Sequence, residues 1–180
     1  MVLASSEPAS AYDIRYNRCM KYFSRVYRES RAFLGDDAPY YYFMAQIELE
    51  SSCREGIVAP DGGQGLAQFM PETANWIHSK ERYLQELTSD PEPFNPKWAI
   101  RAMILYDKFC YEKTLCKGWY FAFRAYNGGI GNLNREIKIA GSCNVDDIER
   151  SCRRAKSFCE INISYPYEII RRSAKYVIKY

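Results

Sequence analysis

Three prolines, Pro39, Pro71 and Pro96, each stand at the head of a segment in which apolar residues recur at helical spacing. Proline has a fixed φ and no N–H, so the first turn of a helix accepts it, while a helix interior or a central strand does not. These positions therefore divide the chain into helices. From Tyr12 to Leu34 charged and apolar residues alternate at helical spacing until Gly35 ends the run. Pro39 opens a helix from Tyr40 to about Ser52, and Pro71 opens one to about Leu87. Asn95-Pro96 reads as an N-cap followed by proline at N1, starting a helix through Trp98, Ile100, Ile104 and Leu105 toward Glu112. A further helix covers Trp119 to Tyr126 and is broken by Asn127-Gly128-Gly129. Shorter ones are expected over Gly131 to Ala140, Val145 to Phe158 and Tyr167 to Ile178. Arg54 to Gly65 is rich in turn residues, and Thr88 to Pro96 is a proline-rich connector. Strand-type alternation is nearly absent. The expectation is a mostly α fold with at most a small β-hairpin in the Arg54 to Gly65 loop. Residues 1–11 read as a loose tail and residues 12–180 as a single domain.

The charge balance, 25 basic against 22 acidic residues for a net +3, is too mild to argue for nucleic acid as a partner. No run of apolar residues is long enough to span a membrane. Met1-Val2-Leu3-Ala4-Ser5-Ser6 lacks the apolar core of a secretory leader. A removed leader and export by another route both fit. The 7 cysteines are Cys19, Cys53, Cys110, Cys116, Cys143, Cys152 and Cys159. With no Cys-x-x-Cys pair and a lone histidine, His78, a Cys/His metal site has little support, so no metal or other cofactor is expected. Disulfides in an oxidising compartment fit better, concentrated between Cys110 and Cys159. The odd count leaves at least one thiol free or paired outside the chain.

The segment from Tyr40 to Ser52 carries the most chemical information. At helical spacing Tyr40, Phe43, Met44 and Ile47 share one face. Glu50 lies seven residues after Phe43 and falls within about 20° of it, inside the apolar stripe. Glu48 falls outside the stripe and is expected to be solvated. A desolvated carboxyl holds its proton to higher pH than the ordinary ~4.3, as a general acid must. The alternative is a helix-end ion pair with Arg54, four residues on. After this helix comes Gly65-Leu66-Ala67-Gln68, a glycine that lets backbone approach a ligand and an amide with both donor and acceptor. Later, Ala125-Tyr126-Asn127 pairs an aromatic ring with an amide at a helix end, suited to stacking on a sugar and bonding its polar edge. The alternative there is a helix C-cap.

Taken together, Glu50-Ser51, Gly65-Leu66-Ala67-Gln68, Ala125-Tyr126-Asn127 and the late Tyr176-Val177 resemble the ordered motifs of the soluble lytic transglycosylase (SLT) domain, a relative of goose-type lysozyme. The resemblance covers about Tyr40 to Tyr180, with Ala67 standing where the family has Met. It implies a lysozyme-like α fold with a long sugar groove. It also implies cleavage of the β-1,4 bond between N-acetylmuramic acid and N-acetylglucosamine in peptidoglycan, without a cofactor. Glu50 would act as acid and then as base, closing a 1,6-anhydro ring. Ser51 would orient the muramoyl unit, Gly65, Leu66, Gln68, Tyr126 and Asn127 would line the groove, and Tyr176 would bond near the acid. The implied location is periplasmic or otherwise extracytoplasmic, alone or in a wall-remodelling, secretion or virion assembly.

Two other readings use the same residues. Retaining hydrolysis wants a second carboxylate roughly 5 Å from the acid, and among Glu48, Glu55 and Asp61 the turn residue Asp61 is the one placed to support a water. A non-catalytic glycan-binding module would keep the groove without turnover. His78, beside Lys80 and Glu81, is expected to be surface or packed. The basic residues Arg150, Arg153, Arg154, Lys156, Arg171 and Arg172 are expected on solvated faces, where they could also hold anionic wall polymer.

Overall fold

The computed structural model describes residues 11–177, so the expected tail lies almost wholly outside the described residues. Ten α-helices follow in order: α1 Ala11–Met20, α2 Phe23–Leu34, α3 Tyr40–Ser51, α4 Pro71–Lys80, α5 Arg82–Gln85, α6 Pro96–Lys113, α7 Trp119–Gly128, α8 Ile130–Ala140, α9 Val145–Arg150 and α10 Lys156–Ser173. A single 3-10 turn, Ala174–Tyr176, closes the described chain. No strand is present among the described residues. Two isolated antiparallel bridges, Val58 with Gln64 and Gln64 with Phe69, fold the loop after α3 back on itself.

Helix α3 is the centre of the molecule. Every residue from Phe43 to Glu48 is buried, which marks a helix enclosed on all sides. It packs between α2 and α10, while α6 packs on α2 and α7, and α7 on α8 and α10. The proline starts hold: Pro71 and Pro96 occupy the first turns of α4 and α6, and the Asn95 side chain accepts a hydrogen bond from Lys97 N at 3.0 Å. Gly35 ends α2 with φ +91°, a left-handed value that glycine takes without strain.

Some boundaries differ from the sequence expectation. The segment from Tyr12 to Leu34 is two helices, because the chain turns at Lys21-Tyr22 and lets α2 set Val26, Glu29 and Ser30 inward. The helix expected to run to Leu87 stops at Lys80, where Glu81 is extended (φ −108°, ψ 104°), and resumes as the short α5. The largest difference is at the end. Helix α9 stops at Arg150, and α10 runs unbroken through Pro166 from Lys156 to Ser173. A proline inside a helix costs a hydrogen bond and a clash. Here Asn162, Tyr165, Pro166 and Ile169 are all buried, and that tertiary packing outweighs local propensity.

Three disulfides tie the chain: Cys19–Cys53, Cys116–Cys143 and Cys152–Cys159, with Cys110 free and buried. The expected cluster of late cysteines supplies two of the three. The first bridge lies outside it, and Cys110 inside the cluster takes no part.

Glu48 is not solvated. It is 2% exposed. Lys175 Nζ and the Tyr176 hydroxyl each donate to it at 2.7 Å, and Arg172 approaches at 3.3 Å. A helix buried all round has no solvent face, so apolar periodicity could not assign one to Glu48. Arg154 likewise leaves the expected solvated face, bonding Glu136 at 2.8 Å, and Arg172 bridges Glu48 and Glu168. His78 is packed, with Nδ1 accepting from Trp98 Nε1 at 3.2 Å. No helix among the described residues is long and apolar enough to cross a membrane.

Candidate active site

Helix α3 delivers Glu50 to the floor of a cavity of about 320 Å³. The loop after α3 forms one wall with Ala59, Asp61, Gly63 and Gln68, and the start of α4 adds Thr73. Tyr106 of α6 and Tyr126 and Asn127 of α7 form the other. Phe69, Tyr106, Tyr126 and Tyr165 make a continuous aromatic cluster, with Tyr126 and Tyr165 nearly parallel at 6.5 Å.

These surroundings set the chemistry of Glu50. Burial pushes its carboxyl from 4.5 up to about 7, and the negative charge of Asp61 pushes the same way. The Tyr165 hydroxyl donates to Glu50 Oε1, which stabilises the carboxylate and opposes the rise. The outcome is a carboxyl divided between its two forms near neutral pH, suited to giving and then recovering a proton. Arg54 makes no ion pair with it; its Nε donates instead to Ser51 O at 3.1 Å. One layer behind, Asp107 is fully enclosed, and burial pushes its carboxyl well above the usual carboxylate range.

The loop is shaped to present Gln68. Its φ is +50°, a left-handed value that costs an ordinary residue about 1–2 kcal/mol. The Gln68 amide donates to Gly65 O at 2.8 Å, which leaves its Oε1 as the group available to a ligand. Gly65 serves packing rather than ligand approach. A Cβ there would lie 1.9 Å from the carbonyl oxygen of Pro93, so only glycine lets the two loops close. Tyr126 donates its hydroxyl to Ala67 O at 2.7 Å, clamping the loop to α7 and leaving its ring toward the cavity. Asn127 Oδ1 accepts from Asn162 Nδ2 at 3.0 Å.

Of the sequence-predicted residues, Glu50, Gln68, Tyr126 and Asn127 thus converge on one cavity. Ser51 does not: it is buried and its hydroxyl donates to Ile47 O at 3.1 Å. Leu66 is fully buried in the core. Tyr176 stands at Glu48, not at the acid, because the 3-10 turn packs on the opposite side of α3. Tyr165 holds the place expected for it. No local pattern marks Tyr165, which lies 115 residues from Glu50 on a helix that Pro166 disguised. Asp61, Thr73 and Tyr106 also join the cavity; of these the sequence singled out Asp61 alone. Among the described residues no group of three or more His, Cys, Asp or Glu is placed to hold a metal ion.

The fold is mostly α and lysozyme-like, and it holds a desolvated glutamate in an aromatic, amide-lined cleft. Residues 9–148 match the transglycosylase SLT domain family, and the chain belongs to that family. The fold is similar to that of the 70 kDa soluble lytic transglycosylase of Escherichia coli, with a TM-score of 0.65 and 21% identity over 92% of this chain and 25% of that one. It is equally similar to the complex of the 70 kDa soluble lytic transglycosylase with bulgecin A, at a TM-score of 0.64 and 21% identity, again over 92% and 25% of the two chains. The chain therefore spans about a quarter of the length of these structures. No curated protein matches the sequence.

Proposed function

We propose that this protein is a peptidoglycan lytic transglycosylase that cleaves the β-1,4 bond between N-acetylmuramic acid and N-acetylglucosamine, with Glu50 as its one acid/base. The observation that carries the reading is the carboxyl held at about 7 in a cleft lined by Gln68, Tyr126 and Asn127. Tyr165 occupies Oε1, so the transferable proton sits on Oε2. That proton passes to the bridging oxygen as its bond to C1 of the muramoyl unit breaks, and the bond electrons leave with the oxygen. The carboxylate then takes the proton of the muramoyl 6-hydroxyl while O6 bonds to C1. The products are a 1,6-anhydro end and a free 4-hydroxyl, and Glu50 is protonated again. No water is consumed and nothing is oxidised or reduced.

The single domain over residues 12–180 would be the catalytic unit. Three disulfides support work outside the cytoplasm. Loss of purified peptidoglycan turbidity tests the reading. Glu50→Gln should abolish it, as the amide can neither protonate the leaving oxygen in the first step nor take the 6-hydroxyl proton in the second. Unchanged lysis would reject it, and binding of the glycan by wild type without any release would favour a binding module.

One observation favours a second reading. Asp61 lines the same cavity as Glu50, and a second carboxylate there could hold a water for hydrolysis. Hydrolysis gives a reducing end in place of the anhydro ring.

A further inference from the structure

The cleft continues past Glu50. Thr73 and Tyr106, which line its cavity, also line a second one of about 380 Å³ that Glu72, Trp76, Phe109 and Ile130 complete. Its main surface is the indole of Trp76 on α4. Trp76 is 37% exposed, whereas Trp98 is wholly enclosed. The indole meets Phe109 edge-on at 4.9 Å and Tyr106 at 6.1 Å, and those two rings are themselves near parallel at 6.4 Å. A broad ring is thus held in place by two neighbours and left partly open on the pocket side.

The polar groups beside it are the Glu72 carboxylate and the Thr73 hydroxyl, at the first turn of α4. A flat apolar face edged by acceptors suits a pyranose, which has an apolar C–H face and a rim of hydroxyl and amide donors. It suits a peptide less well. The lining holds no cation to pair with a terminal carboxylate, and Glu72 would repel one.

Resting on the glycan reading of the Glu50 cleft, we infer that the Trp76 pocket is a further subsite of the same groove. It takes an N-acetylhexosamine ring stacked on the indole, and so sets the strand length the protein grips.

The test uses Glu50→Gln, which removes turnover, and peptide-free N-acetylglucosamine oligomers. Adding Trp76→Ala should weaken hexamer binding about tenfold, the equivalent of about 1.4 kcal/mol, while Trp76→Phe, which keeps a flat ring, should hold most of the affinity. Hexamer should shift the indole emission of the Glu50→Gln protein, and the shift should be absent when Trp76→Phe is added. Because Trp76 is at the surface, a melting temperature equal to that of the Glu50→Gln protein checks that each Trp76 variant folds. Hexamer binding indifferent to Trp76 overturns this inference alone, as does a Trp76→Ala loss confined to peptide-bearing fragments. No binding of any oligomer by Glu50→Gln overturns the glycan reading of the whole cleft together with it.

Discussion

Replacing Glu50 with glutamine should make the protein more stable, by an amount that grows with pH. The folded carboxyl titrates at about 7 against 4.5 for the free group. Below 4.5 both folded and unfolded chains carry the proton, and Glu50 costs nothing. Between 4.5 and 7 the unfolded chain ionises while the folded one does not, so stability drains away as pH rises. Above 7 the full penalty stands. At about 1.4 kcal/mol per pH unit, that span amounts to about 3 kcal/mol as an upper figure. Glutamine has the same shape and never ionises, so its own desolvation cost is constant. The difference in unfolding free energy between Glu50→Gln and wild type should therefore be about 3 kcal/mol larger at pH 8 than at pH 4. In a chain of this size that corresponds to a relative melting shift of roughly 6–12 °C. Urea titrations of both proteins, disulfides intact, across pH 4 to 8 measure it. A difference flat with pH would mean that Glu50 titrates as a solvated carboxyl and is not desolvated in the fold.

Removing the hydrogen bond in Tyr165→Phe takes away a group that favours the Glu50 carboxylate, so the alkaline limb of the pH–activity profile should move up; Tyr176→Phe, which touches Glu48, should leave it in place. Gly65→Ala should cost about 3 kcal/mol or more, since its methyl would overlap the Pro93 carbonyl at 1.9 Å, and a denaturant midpoint equal to wild type would contradict that. Removing the Cys19–Cys53 bridge, which closes a 34-residue separation, should cost about 4 kcal/mol, and removing Cys152–Cys159, with a separation of 7, only about 2 kcal/mol; chemical denaturation of the paired serine variants gives the order. Glu48→Ala should destabilise by about 3 kcal/mol, because Arg172 and Lys175 lose the carboxylate they share, while the pH profile of activity keeps its shape.

How much of this was legible in the sequence depends on how local each signal is. Proline at N1 and Asn95 as N-cap act within one turn, and they placed the starts of α4 and α6. Glu50 was found because seven residues bring it back over Phe43, a relation internal to one helix. Glu48 was misplaced for the matching reason: α3 is enclosed on every side, and what covers its polar face, Arg172, Lys175 and Tyr176, comes from the far end of the chain. The same distance hid Tyr165. Pro166 breaks the local helical pattern, and only the packing of α10 against α3 and α7 shows why the helix continues. Ser51, Leu66 and Tyr176 came from a motif order, which says that residues occur together and not which way their side chains point.

On the reading proposed above, Glu50 hands over a proton and takes one back without water. Mass spectrometry of muropeptides released from purified peptidoglycan tests it most directly. Wild type should release fragments ending in 1,6-anhydro-N-acetylmuramic acid, and Glu50→Gln should release none. Reducing ends alone, or anhydro ends still formed by Glu50→Gln, would contradict it.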